Sequence, residues 1–275
     1  MNTRAETDII WDVSRDESYG GYLCLDLLLA AQKPKSGDHD EMLFIIMHQA
    51  SELWIKLLLH ELTAASSLIR DDRVGDALKI LSRVGRVQIQ LIQSWDVLST
   101  MTPHDYQRLR PYLGASSGFQ SYQYRQLEFL LGNKDAKLID VYGDDPPHHA
   151  ILRTCLDTPS LYDESLMLLA RRGIAVPASH LARDWAQSYV ASDQVIEAWL
   201  QVYRNVEQHW ELYDLAEKLV DIDDRFSQWR YRHLRTVERI IGMKRGTGGS
   251  SGVPYLAKAL ELKLFPELWQ LRTLL

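Results

Sequence analysis

Asp40-Glu-Met-Leu-Phe-Ile-Ile-Met-His-Gln-Ala-Ser-Glu-Leu-Trp-Ile-Lys-Leu-Leu-Leu-His-Glu-Leu-Thr-Ala-Ala-Ser-Ser67 is the stretch on which the fold class turns. It runs without glycine or proline, and Leu43, Ile46, Ala50, Leu53, Leu57 and Leu58 recur at three- and four-residue spacing. That period belongs to one side of an amphipathic helix; a half-buried strand would alternate every second residue. The spacing therefore predicts a long helix with those six residues on its apolar side. Outward from it the pattern repeats. Val74 to Leu98 carries Leu81, Val84, Leu91, Trp95 and Leu98, and Ser121 to Leu131 is a third segment. Ala150 to Thr154, Ser160 to Arg172 and His180 to Ser188 read as shorter pieces, and Pro254 to Leu271 closes the chain. Asp193 to Ile241 is too long for an ordinary single helix, and the polar run Asp221-Ile-Asp-Asp-Arg225 is the expected bend. Glycine and proline cluster between these segments, at Pro103, Gly114 to Gly118, Gly143 to Pro147, Gly173 to Pro177 and Gly242 to Pro254. The reading is a single all-α domain over residues 1–275, with roughly eight to ten helices.

Composition narrows the class. The 275 residues are 46% apolar and 25% charged, which is ordinary for a globular chain. With 31 basic against 37 acidic residues the net charge is −6, so there is no general pull toward nucleic acid. Cys24 and Cys155 are too few for a disulfide framework, and no CxxC pair offers a zinc site. No signal core opens the chain and no run of about 18 apolar residues is apparent, so no membrane span is expected and the cytoplasm is the expected compartment.

Four features bear chemistry. His48 shares a helix face with Phe44, Ser51, Glu52 and Ile55. His233 lies in an apolar stripe with Phe226, Trp229, Val237 and Ile240, flanked by Arg230, Arg232 and Arg235. A neutral imidazole in an apolar slot with basic groups at its rim suits an axial haem ligand, although most histidines so placed are structural. Lys244-Arg-Gly-Thr-Gly-Gly-Ser-Ser-Gly252 follows a helix rather than a strand and lacks both the P-loop order and GxGxxG. Its free backbone donors and the hydroxyls of Thr247, Ser250 and Ser251 suit a loop closing over a small polar ligand, or a plain connector. Arg110, four residues after Tyr106, can meet a carboxylate two-pronged or lie on a solvated face.

Taken together, these stretches resemble the tryptophan 2,3-dioxygenase family. The matching segments are Ser18 to Leu23, His39 to Gln49, Ser51 to Trp54, Ser116 to Ser121, Gln123 to Arg125, Glu128 to Asn133, Trp229 to Val237, Lys244 to Val253 and Phe265 to Leu268, in order. The resemblance implies a helical homotetramer that binds haem b and opens the indole ring of L-tryptophan, or of a close indole amino acid, with O2. It implies His233 as the axial iron ligand and Trp95, Ser117 and Gly118 as further cofactor contacts. It implies His48 as the distal histidine facing the indole N–H. Phe44, Tyr106, Arg110 and Thr247 are implied around the substrate, joined by Tyr19, Tyr22 and Leu23 of the N-terminal segment (residues 1–23) of a neighbouring subunit. Met47 stands where the resemblance implies glutamine, exchanging an amide for a thioether beside His48. Two other readings remain open: a haem monooxygenase acting on tryptophan or a methylated tryptophan, and a cofactor-free helical interaction protein.

Overall fold

The computed structural model describes residues 18–275, and all regular structure among them is helical. The order is α1 (Tyr19–Tyr22), α2 (Leu25–Leu29), α3 (Asp40–Arg70), α4 (Val74–Leu98), α5 (Pro103–Leu113), α6 (Tyr122–Leu130), α7 (Pro146–Asp157), α8 (Leu161–Arg171), α9 (Ala178–Leu181), α10 (Asp193–Arg204), α11 (Trp210–Ile241), α12 (Val253–Leu260) and α13 (Pro266–Gln270). The count exceeds the expected eight to ten because α1, α2, α9 and α13 have only four or five residues.

Helices α3, α4 and α11 form the spine. A tight turn, Asp71 to Arg73, folds α4 back along α3, with Asp72 at φ +58. Gly85 on α4 leaves room for the Arg225 side chain of α11: a Cβ there would stand 2.9 Å from Arg225 Nη1. The main core joins Leu58, Leu62, Ala65 and Ile69 of α3 to Leu81, Val84 and Leu91 of α4 and Leu212, Leu215, Leu219 and Phe226 of α11. Burying each such leucine stabilises the fold by roughly 1.5–3 kcal/mol.

The structure corrects several expectations. The helix at 40–70 forms, but its buried stripe is Met47, Ile55, Leu58, Leu62, Ala65 and Ile69, while Ile46 and Leu53 are each 49% exposed. The expected face shares only Leu58 with the real stripe, which faces α4 and includes Met47 and Ala65. One window of α3 also reaches a mean hydropathy of 1.4, enough for a membrane span by length and composition, contrary to the absence expected. Its polar side chains argue for another use: Glu41 and Glu61 are buried, with Glu61 paired to Arg83, and His48, Ser51 and Glu52 line a cavity.

The expected bend at Asp221 to Arg225 does not occur, because α11 is continuous and the chain breaks earlier, between Arg204 and Trp210. Asp221 and Asp224 face solvent, Arg225 pairs with Asp221 one turn back, and buried Asp223 accepts from Leu264 N (3.0 Å) and Trp269 Nε1 (2.8 Å). Asp221 is thus paired within the helix and Asp223, through Oδ2, from the segment after α12, so neither requires the helix to bend. Residues 182–188 are turns rather than the expected helix, and Pro254 to Leu271 is interrupted between α12 and α13.

Two helices that proline obscured have clear starts. Thr102 and Asp105 form a reciprocal capping box ahead of Pro103 in α5, and Asp145 caps α7 ahead of Pro146 and Pro147. Proline is at home in a first turn because its missing N–H has no partner there anyway. His148 and His149 therefore lie in the first turn of α7. The far end of α7 is capped by Lys134, only 1% exposed, whose ammonium donates to the carbonyls of Cys155 (2.8 Å), Leu156 (2.9 Å) and Thr158. Burial pushes its pKa down to about 8.

Candidate active site

The spine encloses a cavity near one end, with α5, α6, α12 and the 242–252 loop closing its sides. It leaves about 1650 Å³ of unfilled space, its open mouth included. Helix α3 sends in Phe44, Met47, His48, Ser51 and Glu52; α11 faces it with Trp229, Arg230, His233 and Val237. A second apolar cluster, built on Met47, Trp95, Leu98, Met101, Leu109 and Ile240, supports the walls.

The two histidines face the same space from opposite helices. His48 Nδ1 lies 2.7 Å from the Phe44 carbonyl one turn back. A carbonyl only accepts, so Nδ1 carries the proton, and Nε2 is left as an acceptor. Burial holds the His48 pKa below its usual value, partly offset by the Phe44 carbonyl and Glu52. The Phe44 ring lies 4.2 Å from the His48 ring. His233 stacks on Trp95, with centroids 4.5 Å apart and planes 10° from parallel, and it lines the cavity. Burial, and secondarily His48, pushes its pKa down to about 4. Both rings are neutral at neutral pH, with a nitrogen lone pair available to each.

The structure brings together Phe44, His48, Trp95, Tyr106, Ser117, Gly118, His233 and Thr247 as walls of this one cavity. Arg110 is not a wall residue: it sits at the lip, where its Nη2 donates to the Arg245 carbonyl at 2.7 Å. Thr247 Oγ1 donates across the same seam to the Ser116 carbonyl at 2.5 Å. Tyr19, Tyr22 and Leu23 lie outside the cavity, 78%, 82% and 41% exposed. The remainder of the N-terminal segment, residues 1–17, lies outside the described residues. Met47 is buried and accepts a bond from the Ser51 hydroxyl at both its carbonyl (2.9 Å) and its sulfur (3.5 Å).

The expected basic rim divides. Arg232 pairs outward with Asp96 and Arg235 with Glu238. Only Arg230 lines the cavity, joined by Arg125, which the sequence did not single out. Arg125 binds Glu128, which Arg230 also approaches at 3.9 Å. Among the described residues, Arg125 Nε, Arg230 Nε, Arg230 Nη2 and Trp95 Nε1 are buried donors without a hydrogen-bond partner. Such groups are costly to leave unpaired, so they mark where a ligand with acceptor groups fits. An apolar chamber, a neutral histidine with a free lone pair, and arginine donors unpaired at its wall together fit an iron porphyrin with carboxylate side chains.

The sequence profile of the family described as tryptophan 2,3-dioxygenase matches residues 7–155 and 156–275. The chain belongs to the tryptophan 2,3-dioxygenase family. Relatives named tryptophan 2,3-dioxygenase include those of Cupriavidus necator, 57% identical, and Polaromonas sp., 59% identical, each over 262 residues covering 95% of this chain and 89% of the relative. That of Bordetella parapertussis is 59% identical over 262 residues, covering 95% of this chain and 92% of the relative. Membership of this dioxygenase family agrees with the helical fold, and both histidines fall within the matched range.

Proposed function

We propose that this chain is a haem-dependent dioxygenase that opens the indole C2–C3 bond of L-tryptophan and places both atoms of O2 in N-formyl-L-kynurenine. The observation that carries the reading is the pair of neutral histidines, His48 and His233, facing one apolar chamber from opposite helices. His233 would hold haem b through its free nitrogen. Trp95 stacks on that ring; Ser117 and Gly118 line the cofactor's side, and Arg125 and Arg230 supply donors for its carboxylates. When bound, the haem supplies the ferrous iron at which O2 is activated. The reaction consumes no electrons overall, so no reductase is required.

The chain's own part is binding, orientation and exclusion of water. His48 Nε2 accepts the indole N–H, and the Phe44 ring packs beside the indole. Tyr106 supports the amino-acid end of the substrate; Arg110 takes the carboxylate, with Thr247 beside the ammonium. We further propose a cytoplasmic homotetramer. Tyr19, Tyr22, Leu27 and Leu29, at 70% exposure or more, and the α3 ridge of Met42, Ile46 and Leu53 form apolar surface that a second copy would cover. Tyr19, Tyr22 and Leu23 would then reach a neighbour's cavity.

The decisive test is the mass of the product. The haem-loaded, anaerobically reduced protein, given tryptophan and O2, is expected to yield a product heavier by two oxygen atoms. A gain of one oxygen would support the monooxygenase reading, and failure to take up haem would return the chain to an interaction protein.

His48 is expected to matter by degree. An orienting hydrogen bond contributes about 1–3 kcal/mol, so His48→Ala slows turnover roughly ten- to a hundredfold. Because Nε2 is the acceptor, 1-methyltryptophan should be poor with the wild type and relatively better in His48→Ala, where its methyl group meets no ring. A loss beyond about ten-thousandfold in steady-state rate would make His48 an obligatory base instead.

A further inference from the structure

The 242–252 loop lies against the segment after α5, and its backbone is already ordered. Gly246 N donates to the Ser250 carbonyl (3.2 Å) and Gly249 N to the Gly246 carbonyl (3.1 Å). Three contacts fasten it down: Arg110 to the Arg245 carbonyl, Thr247 to the Ser116 carbonyl, and Gly248 against Ser117. The third is purely steric. A Cβ at Gly248 would stand 2.6 Å from Ser117 Cβ and 2.9 Å from its Oγ, with no other atom within 4 Å. Gly248 is not among the positive-φ glycines, unlike Gly242, Gly249 and Gly252. Its backbone is open to any residue, so only Ser117 forbids a side chain there. Ser117 cannot yield easily, because its Oγ caps the Gly118–Gln120 turn and its N–H is held by Gln120.

We propose that Gly248 and Ser117 are positioning residues, a fitted seat that sets how far the glycine-rich loop descends and thereby where Thr247 stands over the cavity. The proposal rests on the reading that Thr247 and Arg110 meet the amino-acid end of the substrate. A loop held one methyl group too high would move Thr247 and part Arg110 from the Arg245 carbonyl together.

The test uses the haem-loaded full chain without tryptophan. Lys244 and Arg245 are exposed trypsin sites within the loop, and cleavage there follows the population of the open form. Gly248→Ala is expected to be cut at these sites roughly tenfold faster or more, because overpacked sites displace their backbone. Adding Ser117→Gly, which removes both clashing atoms, is expected to return cleavage to near the wild-type rate. A merely flexible loop would show no such reciprocal rescue. Cleavage of Gly248→Ala at the wild-type rate, or a double variant cut as fast as the single one, would overturn the seat. With tryptophan, Gly248→Ala should raise KM roughly tenfold with kcat changed less than about twofold; an unchanged KM would also overturn it. Cleavage without substrate does not depend on the reaction, so a chain inactive on tryptophan would leave that arm intact.

Discussion

Haem binding by His233→Ala is expected to be weaker by more than about a hundredfold, since losing even an outer partner of a ligating histidine costs ten- to a hundredfold. His48 keeps a free Nε2 but faces the cavity from the opposite helix, so it does not stand where His233 does, and Met47 sulfur is engaged by Ser51. The fold should tolerate the change. His233 is mid-helix in the 32-residue α11, alanine is the best helix former, and the ring borders open space rather than filled core. The variant should therefore keep its far-ultraviolet circular dichroism while its Soret band falls. Added imidazole, small enough to enter the vacated place beside Trp95, should restore part of that band. A variant that keeps haem with an unchanged spectrum would remove His233 as the ligand.

How much was legible in the sequence differs by kind of feature. Helices α4 and α8 stand within a residue or two of where spacing placed them, because their buried faces carry regular aliphatic repeats. Several misreadings took a local signal, polarity or proline, for a break in the helix. Asp223 looked like part of a bend because its partners, Leu264 and Trp269, lie forty-odd residues away, where no window along the chain can find them. Prolines at 103, 146 and 147 hid α5 and the start of α7, although the Thr102–Asp105 capping pair was a usable signal.

The candidate site followed the same division. His48, His233 and the glycine-rich loop stood out by residue type and by resemblance to the family. Arg125 did not, because Arg125 and Glu128 three residues apart look like any surface ion pair. Only the fold shows that both are buried beside Arg230. Ile46 and Leu53 mark the converse limit. Their periodicity is real, but both are half-exposed, because periodicity alone does not say which side of α3 packs against α4.

Arg110→Ala is expected to weaken tryptophan binding by a few hundredfold to a few thousandfold, since removing one partner of a hydrogen-bonded charge pair that the loop desolvates costs about 3–5 kcal/mol. The geometry permits this at the lip. A guanidinium offers five N–H donors, and Arg110 spends one of them, on Nη2, on the Arg245 carbonyl. The others remain for a carboxylate, with Tyr106 one turn back along α5 and Thr247 on the facing loop. Haem and O2 binding should be nearly unaffected, because Arg110 does not line the cavity. The contact with Arg245 makes a second, smaller loss unavoidable: the loop gives up one hydrogen bond from a charged donor, worth roughly ten- to a hundredfold. Tryptamine separates the two. It keeps the indole and the ammonium but lacks the carboxylate, so it should be a poor substrate for the wild type and fall by no more than that smaller factor in Arg110→Ala. A general structural defect would lower both compounds alike. Equal falls for tryptophan and tryptamine would show that Arg110 serves only the loop and that the carboxylate is held elsewhere.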